Sequence, residues 1–129
     1  MPANATVYAS SAVVAADPTF DADVIIATVG PVAVDSWGQN VRLECMVAFQ
    51  PGADTTAVVL TLRRNSITGQ TIGTAATFPA AATIADVYNA SGARSEPIGN
   101  HTYHVVITQT NASAAGNVGA VMLTATVGN

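Results

Sequence analysis

Residues 56–73 read TAVVLTLRRNSITGQTIG. Val58, Val59, Leu60 and Leu62 are branched apolar residues in a short run, the composition of a strand. Arg63 and Arg64 follow side by side. Asn65-Ser66-Ile67-Thr68-Gly69 then has the composition of a turn. A second, more polar strand is expected to return as far as Gly73. The stretch predicts a β-hairpin whose exit carries half of the chain's four basic residues.

Working outward, residues 41–49 form the cleanest amphipathic strand. Val41, Leu43, Cys45, Val47 and Phe49 fall on one face, and Arg42, Glu44, Met46 and Ala48 on the other, which is the two-residue period of a half-buried strand. Residues 50–54 (QPGAD) make a turn. Downstream, residues 102–110 alternate again, with Tyr103, Val105 and Ile107 sharing a face. Residues 118–127 (VGAVMLTATV) are apolar on both faces, which predicts a central strand covered on both sides. The rest is less regular. Residues 19–29 read as a strand, Gly30-Pro31 as a break and residues 32–34 as a short resumption. Residues 75–85 suggest a strand near Thr77-Phe78 followed by a loop. Asp86-Val87-Tyr88 is a brief strand or bend, and residues 89–99 (NASGARSEPIG) are expected to form a loop. At the start, residues 1–16 are uncharged and form an extended arm or an edge strand before residues 17–129. About eight strands, with turns roughly every 8–12 residues and no amphipathic helix, predict an all-β, single-domain antiparallel β-sandwich of jelly-roll type.

A chain of 129 residues fits one domain and can bury a core without metals or disulfides. Only 9% of residues are charged and none is lysine; the cations are Arg42, Arg63, Arg64 and Arg94. Typical domains carry about 25% charged residues, and a free monomer relies on them for solubility. So sparse a charge points to a surface partly hidden in an assembly. The net charge of −4 argues against nucleic acid, whose binding needs a basic stripe to displace counterions. It gives no attraction to an anionic membrane either, and no run of residues approaches the roughly 20 of an apolar membrane-spanning helix.

No constellation carries catalytic chemistry. His101 and His104, three apart on a strand, face opposite sides and cannot share a metal. Asp17, Asp21 and Asp23 offer oxygens but lack the glycine and closing glutamate of a calcium loop, and aspartate is common in turns. No serine sits in a nucleophile elbow, and nothing brings Glu44 and Glu96 together as a carboxylate pair. Cys45, the single cysteine, sits mid-strand among apolar residues as a core thiol. The four Asn-x-Ser/Thr triplets matter only in a secretory pathway. Arg63 and Arg64 should project to opposite faces and pair with carboxylates, either within the chain (Glu44 or Asp54) or across a subunit contact. The expectation is no enzyme, no cofactor and no metal.

Leu60-Thr61-Leu62-Arg63-Arg64, a polar turn and Thr68-Gly69-Gln70-Thr71 resemble the pattern of small all-β virion proteins of tailed bacteriophages. Two later strands extend the likeness: the Tyr-bearing strand from Thr102 to Ile107 and the last strand from Gly119 to Ala125, joined by a Gly/Asn/Ala loop. The resemblance spans residues 41–127 and leaves residues 1–40 uncovered. It implies a structural component of a virion, of the head decoration (cement), fibre or tail type, often trimeric. The leading expectation is a homotrimer on the outer capsid surface, bound to the lattice of the major capsid protein. The candidate interface is Thr6, Val7, Tyr8, Val13 and Val14 of the first segment, with Trp37, Arg63 and Arg64. The alternative is a trimeric fibre or tail module that recognises a host receptor or glycan. It expects Trp37, Tyr88 and Tyr103 exposed together in loops at one end. A secreted adhesin-like module is a third reading.

Overall fold

The structure is a computed structural model and describes residues 6–12, 19 and 21–128. Those residues form eight strands: β1 (Thr6–Ala12), β2 (Val24–Val34), β3 (Asn40–Gln50), β4 (Ala57–Arg64), β5 (Ala76–Pro79), β6 (Asp86–Ser95), β7 (Gly99–Thr110) and β8 (Asn117–Gly128). They make two four-stranded antiparallel sheets, ordered β1-β8-β3-β6 and β2-β7-β4-β5. Successive strands mostly alternate between the sheets. This is the double Greek-key winding of a jelly roll, and the sandwich class expected from the sequence is what the chain adopts.

The core lies between the sheets. β3 supplies Val41, Leu43, Cys45, Val47 and Phe49, β8 supplies Val121, Leu123, Ala125 and Val127, and the facing sheet adds Leu60, Leu62, Tyr103, Val105 and Ile107. The strict alternation of burial along β3 is the one its sequence predicts. Fully burying a side chain of this kind contributes roughly 1.5–3 kcal/mol, so the apolar stripes of β3, β4, β7 and β8 dominate the fold.

Four expectations need correction. The return leg of the residue 56–73 hairpin is a single bridge, Arg63 to Thr71, not a strand. Arg64 N–H donates to Gln70 O at 2.9 Å and Ile72 N–H to Leu62 O at 2.8 Å. Beyond them Gly73 turns the chain away with φ +76°, and the true neighbour of β4 is β5. Residues 89–95, expected in a loop, belong to β6, which pairs with β3 without interruption from Asp86 to Ser95. Residues 24–34 are one strand, with the register shifting between Val29 and Val32 around a cis Gly30-Pro31 bond. The break expected there is a bulge within a continuous ladder. Finally, β8 is central but covered on one side only. Val121, Leu123, Ala125 and Val127 are buried, while Ala120 and Met122 on the other face are exposed.

The winding sorts the connections to two ends. The β2–β3 turn (residues 35–39), the β4–β5 connection (65–75) and the β6–β7 turn (96–98) share one end with the start of β1 and the finish of β8. The other end collects the β3–β4, β5–β6 and β7–β8 connections and the entry to β2.

Candidate interface surfaces

At the first end the turn after β4 is built from its own backbone. Asn65 takes φ +67°, a left-handed conformation that Asn tolerates better than most residues. Its N–H donates to Thr102 O at 2.6 Å, and its side-chain Oδ1 accepts from Thr102 N–H at 3.0 Å. The turn is thereby tied to β7. Arg63 and Arg64 leave opposite faces of β4, as adjacent strand residues must, and find different partners. Arg64 Nη1 lies 2.7 Å from Glu96 Oε2, with the Glu96 side chain fully buried. Tyr103 Oη donates to Glu96 Oε1 at 3.0 Å, and Arg94 Nε approaches the same carboxylate at 3.6 Å. Burial, and then the negative charge of Glu96, push the Tyr103 phenol well above its ordinary range. Arg63 has no carboxylate. Its Nη1 donates to Gly69 O at 3.0 Å and Thr71 Oγ1 at 2.8 Å, closing its own turn.

The partners named from sequence are therefore corrected. Glu44 belongs to Arg42 (2.8 Å) on an exposed face, and Asp54 accepts from Ser113 at 2.5 Å. The acid that Arg64 uses, Glu96, lies in a stretch whose composition reads as loop.

The other predicted residues are dispersed. Thr6, Val7 and Tyr8 lie in β1, opposite Val127, Thr126 and Ala125 of β8. The segment thus includes an edge strand, and Val7 is exposed on it. Val13 and Val14 lie outside the described residues. Trp37 is 86% exposed at the tip of the β2–β3 turn. Gln39 Oε1 holds that turn by accepting from Asp35 N–H at 2.8 Å and Ser36 N–H at 3.3 Å. Tyr88 and Tyr103 are buried; Tyr88 packs edge-on against Phe78 and Phe49. The three aromatics do not form the exposed group that a receptor-binding end requires. Among the described residues no three His, Cys, Asp or Glu side chains gather as metal ligands. His101 Nε2 bonds Pro97 O and His104 Nδ1 bonds Thr28 Oγ1, each at 2.8 Å.

Two surfaces stand out that the sequence reading does not single out. The outward face of the β1-β8-β3-β6 sheet is nearly uncharged. Register places Val7, Thr126 and Arg42 in one row, Met122 beside Met46 in another, and Ala120 beside Ala48 and Val87 in a third. A shallow depression of about 490 Å³ runs across it, lined by Arg42, Glu44, Met46, Asn89, Ser91 and Met122. Its one charged pair is internally neutral. Its signal in the sequence is the second apolar face of residues 118–127, which on pattern alone predicts a covered side.

The second surface is the pair of ends. All four arginines lie toward the first end, against Asp35, Glu44 and Glu96. The opposite end holds Asp21, Asp23, Asp54 and Asp86 and, among the described residues, no cation. The molecule is electrically polar along its strands.

No family model matches the chain, and no curated protein matches it in sequence. The likeness is to solved structures. The chain is similar to a chain of infectious bursal disease virus, Gx strain, at 10% identity and a TM-score of 0.53, over 98% of this chain and 33% of that one. It is also similar to VP2 in the subviral particle of infectious bursal disease virus, at 13% identity and a TM-score of 0.51, over 96% of this chain and 33% of that one. This chain thus spans about a third of the length of the chains it matches. At such identities the shared property is the fold.

Proposed function

We propose that the protein is a structural component of a virion, a decoration protein that binds the outer face of a major capsid protein lattice as a homotrimer and stabilises the head. The observation that carries this reading is the jelly roll itself: nearly the whole of this chain aligns with about a third of a chain from a viral particle. The scarcity of charge supports it, as does a sheet face whose outward residues are uncharged apart from the mutually neutralising Arg42 and Glu44. The tailed-phage setting is inferred from the pattern of residues 41–127.

In this role the work is mechanical. Each contact buries apolar surface at roughly 25 cal/mol per Å² gross, and the cost of ordering the partners offsets much of it. A small net gain repeated over a lattice resists pressure from within. The outward face around Met46 and Met122 is the docking surface assigned to the capsid. Purified protein is expected to bind expanded empty capsids. Met122→Glu should cut that binding at least tenfold while leaving the urea midpoint within experimental spread, because the side chain is about half exposed. Quantitative mass spectrometry of virions should find the chain in numbers comparable to the capsid protein. Binding to host cells and not to capsids, or a handful of copies per particle, would overturn the reading in favour of a fibre or tail module.

A further inference from the structure

A sheet edge is a row of unpaired N–H and C=O groups, and folded proteins protect it with bulges, prolines, lysines or short strands. Two of the four edges here carry such a device. β5 has four residues and ends at Pro79. β2 is interrupted by register shifts at Ile25/Ala27 and Val29/Val32 and contains Pro31. β1 has seven residues in an unbroken ladder to β8 and carries no charge that could fix the register of a partner strand. β6 is different. It has ten residues, and its ladder to β3 has no bulge. It contains no proline or lysine and no charge between Val87 and Ala93. The β4–β5 connection lies beneath it, where a Cβ on Gly92 would meet Ile72 O at 2.4 Å. Among the described residues that connection makes no backbone hydrogen bond to β6.

The charges of β6 stand at its two ends, Asp86 at the start and Arg94 near the finish, on the same face of the strand and both exposed. We infer that β6 is a self-association edge, pairing antiparallel with β6 of a second copy about a two-fold axis centred on Ala90. In that register Asp86 stands opposite Arg94 of the other copy, and Arg94 opposite its Asp86. Val87 faces Ala93, Asn89 faces Ser91, and Tyr88 falls opposite Gly92, which offers no side chain to clash. The neighbouring two-fold registers are poorer. A centre on Ser91 sets Asp86 against the buried Glu96, and a centre on Asn89 leaves Arg94 facing Ile84. An isologous contact of this kind closes on itself, so it yields a pair and not a fibre. The β1-β8-β3-β6 sheets of the two copies become one eight-stranded sheet by strand addition. The inference does not rest on a virion role; a pair that forms without binding capsids separates the two.

The test is light scattering on Asp86→Lys, Arg94→Glu and their mixture. Each substitution sets like charges opposite each other at both ends of the contact. Each should therefore halve the mass of the wild-type assembly, which is expected at two 13.0 kDa chains, or at six where two homotrimers are joined through this edge. Mixed in equal amounts, the two variants complement one another. At one end of the contact the introduced lysine faces the introduced glutamate, and at the other the native Arg94 of one variant faces the native Asp86 of the other. The full mass should then return. Variants with unchanged mass, or a mixture that stays dissociated, overturn the proposal. Amide exchange gives a second readout that needs no substitution. Wild-type amides of β6 between Val87 and Ala93 should gain protection as protein concentration rises, and equal exchange at all concentrations overturns it equally.

Discussion

Arg42, Arg63 and Arg64 sit within one sandwich, yet their surroundings assign them different weights. Arg64 neutralises a carboxylate that has no exposed surface. Removing Arg64 leaves that buried charge only the Tyr103 hydroxyl and the more distant Arg94, and breaking a buried pair costs about 3 kcal/mol. Arg63 donates two hydrogen bonds to neutral acceptors, for roughly 1 kcal/mol each. Arg42 pairs with Glu44 in open solvent, where such a pair contributes about 0–1 kcal/mol. Replacement by methionine should therefore destabilise in the order Arg64, Arg63, Arg42, read as shifts in the urea midpoint; an Arg42 variant as costly as Arg64 would refute the ranking. The same cluster sets an alkaline limit. Tyr103 has its phenol pKa raised in the fold by burial and by Glu96, while an unfolded tyrosine ionises near pH 10. The folded state holds the proton that the unfolded state loses. The stabilisation is complete below about pH 10 and is lost progressively as pH rises through the folded pKa. Urea midpoints should fall between about pH 9.5 and 11.5, and Tyr103→Phe should flatten that slope.

At the level of elements, legibility follows a strand's position in its sheet. β3 is readable residue by residue because it is central and half-buried, so the two-residue period is enforced along its whole length. β7 is readable too, and its register contains more than its apolar stripe. Gln109 shares the parity of Tyr103, Val105 and Ile107, and it is fully buried. Its Oε1 accepts from Gly52 N–H at 2.6 Å and Thr55 Oγ1 at 3.2 Å. Its Nε2 donates to Ala114 O at 3.3 Å and Thr19 O at 3.4 Å, so one amide ties three connections together at the acidic end. A polar residue continuing an apolar stripe is the signal available for it. β6 is illegible for the opposite reason. As an edge strand its residues are set by what lies beside them, Gly92 by the backbone of Ile72 and the rest by solvent, so Asn, Ser, Gly and Ala read as loop. The outer face of β8 misleads because apolar residues on both sides of a strand do not reveal whether the second cover belongs to the same chain.

At the level of the whole molecule, the winding makes stability indivisible. β1 pairs with β8, so the first described strand is held by the last, and β3 lies between β8 and β6. The first sheet needs both ends of the described chain, and the second is assembled from strands that the first sheet's β3 and β6 separate in sequence. Unfolding of one domain of this size is then expected to be all-or-none, and non-local pairings make folding slow, in the range of about milliseconds to seconds. Cys45 provides the probe. It is 5% exposed at the centre of β3, and burial raises its thiol pKa, so both access and thiolate formation are suppressed in the native state. Its alkylation should be slow in buffer and should rise in urea along the same curve as far-ultraviolet circular dichroism, because only global opening exposes the central strand. Trp37 fluorescence should miss the transition. A ring already 86% exposed emits at nearly the same wavelength in both states. Thiol labelling that runs ahead of the dichroism curve would mean that β3 opens locally, and the sandwich would then not be the single cooperative unit its topology requires.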